Sequence, residues 1–244
     1  MLKLPSMEVR MGIFDDELRK LKEKILILSC LVEEGIRKSV KALIERNSEL
    51  AKQVISRDNL INGLEVDINE DCIRLIALRQ PMAKDLRFIT TAMKISTDLE
   101  RMGDFAVNIA ERAIELNQEP FLKPFVNIPK MAEITESMVE DAINAFVKED
   151  VNLCYEVIKR DDHVDELLQN NHNELFGLMI KNPDIIPLAL KRMFIAKYLE
   201  RIADHATNIA EMTIYMVEGK MVRHTFVTEE IKKICLEDFT SGQG

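Results

Sequence analysis

The residues best placed to do chemistry are acids and amides spaced for one face of a helix. Glu100, Asp104, Asn108 and Glu111 stand at i, i+4, i+8 and i+11, so at 100° per residue they stack in a narrow stripe. The same stripe returns as Glu200, Asp204, Asn208 and Glu211. Carboxylates about 6 Å apart repel by roughly 0.7 kcal/mol in water and roughly 3 kcal/mol at an effective dielectric near 20. An exposed pair is tolerable, but a cluster gathered between helices needs a counter-charge. Arg57, Arg101, Arg160 and Arg201 are the nearby candidates. A hard or borderline cation would serve better, and oxygen-rich donor sets favour magnesium, manganese, calcium or iron. The competing reading is plain: acids at four-residue spacing also decorate solvated helices, and duplication copies idle residues too.

Other chemistry is poorly represented. His163 and His205 each follow an Asp, while His172 and His224 have no such context. None of the four has Glu three residues before it, as a di-iron helical-bundle oxidase would require. Cys30, Cys72, Cys154 and Cys235 are far apart with no CxxC pair, which argues against the usual zinc spacing or a disulfide framework and fits a reducing compartment. No nucleophile motif or Gly-rich phosphate loop is present.

The elements that must carry the stripes are helices. In 244 residues there are only 8 Gly and 7 Pro, and no Trp, with helix-favouring residues dominant. Leu18, Leu21, Ile25, Leu28, Val32, Ile36, Val40 and Leu43 alternate steps of three and four, predicting a long first helix opening near Asp15. A second seam, Ile61, Leu64, Ile68, Cys72 and Leu75, ends at Arg79-Gln80-Pro81. A third runs through Leu86, Ile89, Met93, Leu99, Met102, Ala106, Ile109, Ala113 and Leu116. The stripe lies opposite this seam and is expected on the surface. Pro120, Pro124 and Pro129 punctuate a linker. Three more helices are expected: from Met131 to about Lys148, from about Asp150 to Ile180, and a last one ending near Gly219.

The second half repeats the first. Leu99-Glu100-Arg101-Met102-Gly103-Asp104 matches Leu199-Glu200-Arg201-Ile202-Ala203-Asp204 at an offset of 100, and Arg57-Asp58 matches Arg160-Asp161 at 103. Duplication of a three-helix unit accounts for this pattern. The expected fold is all-α, with two tandem three-helix bundles over residues 11–122 and 127–219. A tail over 220–244 holds a possible short helix from Thr228 to Leu236.

Net charge is −9, with 33 basic and 42 acidic residues, so nucleic acid is not an expected partner. The longest apolar stretch, Ile25 to Val32, is too short to cross a bilayer, and the N-terminus lacks a signal-peptide pattern. A cytoplasmic protein is expected.

The paired Leu-Glu-Arg-(Met/Ile)-(Gly/Ala)-Asp motifs, the Arg79-Gln80-Pro81 turn continuing to Asp85-Leu86-Arg87, and the paired Arg-Asp segments resemble the PhoU family of phosphate-signalling proteins from about Met11 to Gly219. The resemblance implies multinuclear metal clusters, iron in some members, held through Glu/Asp-x-x-x-Asp motifs. It nominates Asp58, Glu100 and Asp104 for one cluster and Asp161, Asp165, Glu200 and Asp204 for the other, with Asn108 and Asn208 as outer ligands. Asn62 stands where the family has an acid. The resemblance also implies negative regulation of phosphate uptake, through contact with a sensor histidine kinase and the high-affinity phosphate ABC transporter at the inner membrane face. A homodimer is the expected assembly. The alternatives are a carboxylate-bridged metal enzyme and a purely structural helical scaffold.

Overall fold

A computed structural model describes residues 7–119 and 127–220, with side chains from residue 12 onward. Six helices carry the chain: α1 (Met7–Ile44), α2 (Ser48–Arg79), α3 (Ala83–Asn117), α4 (Asn127–Lys148), α5 (Val151–Lys181) and α6 (Ile186–Glu218), with a short 3-10 turn at Pro183–Ile185 before α6. No strand occurs among the described residues. Helices α1, α2 and α3 pack as one trio, and α4, α5 and α6 as a second.

Local chemistry sets the ends. Asn47 caps α2 by accepting from Leu50 N, and Asp150 caps α5 by accepting from Asn152 N and Leu153 N, so each satisfies backbone donors that the first helical turn leaves unpaired. Gly219 closes α6 at φ 72, a left-handed conformation open to glycine without a Cβ penalty. Gln80 and Ala83, on either side of Pro81 and Met82, also have positive φ (51 and 45) and shape the tight α2–α3 turn.

The α1 seam is buried as its spacing predicts, at Leu21, Ile25, Leu28, Val32 and Ile36, and in α6 Leu199, Ile202, Ala206, Ile209, Thr213 and Met216 are buried at the same steps of three and four. Leu86 is an exception. It is 38% exposed, and Phe88 is buried in its place, stacked on Phe146 with centroids 5.5 Å apart. Two boundaries also move. The first helix begins at Met7, before Asp15, and the fourth begins at Asn127, before Met131, with Pro129 in its first turn, where a missing N–H costs nothing. The rest of the expected linker, and the possible tail helix, lie outside the described residues.

The two trios share one core. Buried apolar residues form a connected cluster running from α1 through α6, because α3 packs on α6 and α1 on α4. Asp98 meets His205, Phe105 stacks on Tyr198, and Glu115 pairs with Lys191, so α3 and α6 run antiparallel. Under the 100-residue offset, Asp98 maps onto Tyr198 and Phe105 onto His205. The Asp98–His205 and Phe105–Tyr198 contacts are therefore images of each other about a pseudo-two-fold axis, one polar and one aromatic.

Candidate metal centres on the paired helices

Each acidic stripe lies against the middle helix of its own trio. On the first face, α2 contributes Asp58, Asn62, Glu65 and Asn69, spaced to share one side, and α3 contributes Glu100 and Asp104. Close approach is possible because Gly103 carries no side chain: a Cβ there would lie 3.1 Å from Ile61 Cδ1 and Cγ2. Burial pushes the Asp58 carboxyl above its ordinary range, and Asp104 adds to the effect, while the Asn62 amide opposes it. Glu100 is raised chiefly by burial, then by Asp104, with smaller contributions from Glu65 and Asp58 and an opposing one from Arg101. These four carboxylates feel one another across the helix pair.

The second face gathers Asp161 and Asp165 from α5 with Glu200 and Asp204 from α6. Burial, then Asp204, Asp165 and Glu200, raise the Asp161 carboxyl to about 6. Glu200 is only 8% exposed, so the stripe is not the fully solvated surface that its helical phase predicts. The neighbouring helix covers it, which a single-helix projection cannot see.

Counter-charge comes from part of the expected set. Arg101 lies 3.5 Å from Glu100 and 3.3 Å from Asp104. Arg201 repeats the arrangement at 4.0 Å from Glu200 and 3.6 Å from Asp204, and Lys197 reaches Glu200 Oε1 at 2.5 Å. Arg57 and Arg160 turn away: Arg57 pairs with Glu34 at 2.8 Å, and Arg160 with Asp141 at 2.6 Å.

The arginines do not satisfy the faces. Asp58 Oδ1, Asn62 Oδ1 and Glu200 Oε2 are buried acceptors with no hydrogen-bond partner. Unpaired buried oxygens are costly, and oxygen acceptors among clustered carboxylates are the donor set hard cations take. The donor types are therefore those of a hard-cation site. Among the described residues, however, no three His, Cys, Asp or Glu side chains converge closely enough, as placed, to ligate a metal.

The remaining nominees divide. Asn108 and Asn208 are half-buried, one turn beyond Asp104 and Asp204, in position for an outer role, but Asn108 makes no hydrogen bond to the acids among the described residues. His205 is committed elsewhere, its Nδ1 2.6 Å from Asp98 Oδ1 across the α3–α6 contact. His163 is exposed, and His224 lies outside the described residues. Burial pushes the Cys72 and Cys154 thiols up to about 12, so neither is a ready thiolate.

Sequence reasoning missed Glu65 and Asn69. The signal was available: they follow Asp58 by 7 and 11 residues, continuing its stripe. In the second copy the 103-residue offset puts Leu168 and His172 at those positions, so the repeat hides them.

Comparison with known proteins places this geometry in a family. The PhoU domain is matched twice, over residues 25–113 and 128–213. The phosphate-specific transport system accessory protein PhoU homolog of Aquifex aeolicus is 49% identical over 214 residues, covering 88% of this chain and 97% of that protein. The Escherichia coli phosphate-specific transport system accessory protein PhoU is 32% identical over 227 residues, covering 93% and 94%. The crystal structure of PhoU from Pseudomonas aeruginosa superposes with a TM-score of 0.82 at 38% identity, covering 85% of this chain and 100% of that one. A phosphate transport system regulatory protein PhoU from Streptococcus pneumoniae gives 0.80 at 32% identity, covering 86% and 99%. With two all-helical trios, a duplicated motif and relatives matched over nearly their full length, the chain belongs to the PhoU family.

Proposed function

We propose that this protein is a non-enzymatic regulator of phosphate uptake and phosphate-starvation signalling. In this reading it works in the cytoplasm as a metal-binding adaptor between a high-affinity phosphate ABC transporter and a sensor histidine kinase. Support for the phosphate link is the naming of relatives from A. aeolicus and E. coli as phosphate-specific transport system accessory proteins. No helix among the described residues is long and apolar enough to cross a membrane, so contact with a transporter would be peripheral.

The observation that carries the metal part is the repeated acidic face with orphaned buried acceptors at Asp58, Asn62 and Glu200. A divalent or trivalent cation would supply the charge that Arg101 and Arg201 supply only in part; iron, magnesium, manganese and calcium share the required oxygen preference. Asp58, Glu65, Glu100 and Asp104 would hold it on one face, and Asp161, Asp165, Glu200 and Asp204 on the other.

The adaptor part is supported by exposed apolar side chains on the helix pair that carries the second acidic face. Phe176 and Ile180 on α5, and Ile186, Leu190 and Phe194 on α6, are all exposed, Ile180 at 82%. On α6 they stand at four-residue steps, along one side of the helix. Apolar groups of this size, grouped rather than scattered, mark interaction surfaces.

The test is affinity capture from phosphate-replete cells, using the native chain and an Ile180→Asp, Phe194→Asp variant. Transporter or kinase subunits should co-purify with the native chain and be depleted at least several-fold with the variant. Capture of neither, by a folded native protein, overturns the adaptor reading.

A further inference from the structure

The sequence repeat does not stop at α6. Burial fixes the register between the opening helices of the two trios: Ile25, Leu28 and Ser29 are buried in α1, and Ile128, Met131 and Ala132 in α4, each pair 103 residues apart. A further step of 103 lands on Ile231, Ile234 and Cys235, all apolar at i, i+3 and i+4. The approach to this stretch repeats too. Phe125-Val126-Asn127 leads into α4, and Phe226-Val227-Thr228 precedes Ile231, with Glu229 and Glu230 inserted. The likeness ends at Asp238, which stands where Val32 and Thr135 are buried. Residues 226–236 therefore read as the opening of a third copy of the unit, beyond the PhoU domain match that ends at residue 213. They carry an apolar stripe at helical spacing, which needs a surface to cover it.

The described chain delivers that segment to one corner of the molecule. A Cβ on Gly219 would lie 3.9 Å from Arg87 Cζ, and Arg87 Nε donates to Met216 O at 3.0 Å, so α6 ends against the first turns of α3. One turn before Arg87, Lys84 pairs with Glu149 of the α4–α5 turn at 2.7 Å. Here α1, α3 and that turn bound an open cleft of about 380 Å³. Leu18 and the buried Phe88 supply its apolar part, and Lys22, Lys84, Asp85 and Glu149 give it charges of both signs. The repeat explains why chain belongs at this corner. Arg46 and Glu149 are equivalent turn residues, 103 apart and both at positive φ (54 and 57). Beside Arg46, the chain leaving α3 is held by bonds from Arg46 Nη2 to the carbonyls of Asn117 and Glu119, at 2.6 and 2.7 Å. Exchange of α3 with α6 turns that corner into the one at Glu149, where the chain leaving α6 sets out.

We propose that residues 226–236 dock in this cleft of their own chain, with Ile231, Ile234 and Cys235 against Leu18 and Phe88. Reach is ample: the eleven residues 221–231 span up to about 36 Å when extended. Charge selects the occupant. A rim of mixed sign around apolar side chains suits neither a free anion nor a free cation, whereas the tail flanks its apolar positions with Glu229, Glu230, Lys232, Lys233 and Glu237. Tethering favours the tail further, since a segment on a short linker competes at an effective concentration in the millimolar range. The docked tail covers the Lys84–Glu149 ion pair, which joins α3 of one trio to the α4–α5 turn of the other. It thereby forms part of the surface at that end of the molecule.

The experiment is alkylation of the full-length protein with iodoacetamide, followed by mass spectrometry and paired with hydrogen–deuterium exchange. Cys30 is exposed, whereas Cys72 and Cys154 are buried, so Cys30 is an internal reference for Cys235. In the folded protein Cys235 should react about tenfold or more slowly than Cys30, as for a thiol exposed only in a minor undocked state. The two rates should converge in guanidinium chloride. Ile231→Asp combined with Ile234→Asp, in the full chain, should bring Cys235 to within a few-fold of Cys30. The same variant should speed amide exchange over residues 15–22 and 84–88. Equal rates for Cys235 and Cys30 in the native chain overturn the proposal. Exchange that changes over residues 176–194 instead puts the tail on the exposed apolar side chains of α5 and α6 and overturns the cleft as its site. Protection lost on dilution, with a dimer by light scattering, assigns the tail to a second copy and overturns docking within one chain.

Discussion

At the scale of single residues, Asp161 is an acid that the fold holds well above its ordinary range. Its carboxyl titrates near 6 in the folded chain against 3.8 for the ordinary group, through burial first and then Asp204, Asp165 and Glu200. An acid whose folded value is raised holds a proton that the unfolded chain has released, so between about pH 4 and 6 unfolding releases a proton. Stability from this group is thus lost as pH rises through that window, and the full penalty, on the order of 1–3 kcal/mol, stands above pH 6. Asp161→Asn removes the charge. In chelator-treated protein it should raise stability to urea at pH 7.5 by about 1–2 kcal/mol, with the gain vanishing near pH 4. Added Mn²⁺ should reverse the order, because the native acid is then a ligand. Equal urea midpoints for the two proteins at pH 7.5 would show that Asp161 is not strained by its neighbours.

At the scale of elements, the sites depend on where helices start and how closely they approach. Asp150 accepts from Asn152 N at 3.0 Å and Leu153 N at 3.1 Å, holding the first turn of the helix that carries Asp161. Asp150→Ala should cost about 1 kcal/mol by denaturant titration. Gly103 has a different role, since the 3.1 Å approach of Ile61 leaves no room for a branched side chain. Gly103→Val should destabilise by about 1–3 kcal/mol and separate α2 from α3. Ala203 occupies the equivalent place in α6, so the second pair tolerates one methyl more.

At the scale of the whole molecule, the two copies of the duplicated unit are built around one continuous core. The core cluster is continuous through both trios, and the α3–α6 seam holds it with the Asp98–His205 pair and the stacked Phe105 and Tyr198. Differential scanning calorimetry should accordingly find a single transition whose calorimetric and van't Hoff enthalpies agree. Phe105→Ala lies on the pseudo-axis and should lower stability by about 2–4 kcal/mol. Two resolved transitions in the native chain would mean that each trio unfolds by itself.

Much of this was legible in the residues. The periods of three and four placed the α1 seam, and Pro81 marked a break at which a helix does end. The 100-residue offset between the Leu-Glu-Arg motifs announced two like units. These features are local, and helical phase with capping chemistry acts over a few residues. The acidic stripes on α3 and α6 were legible for the same reason, whereas the departure at Asn62 was visible only through the family resemblance. Tertiary structure alone decided what depends on a second helix. It buried Glu200, turned Arg57 and Arg160 toward Glu34 and Asp141, engaged His205 with Asp98, and drew Glu65 and Asn69 into the first face. Periodicity states which residues share a face but not what covers it, and burial, pairing and proton affinity are all set by the covering element.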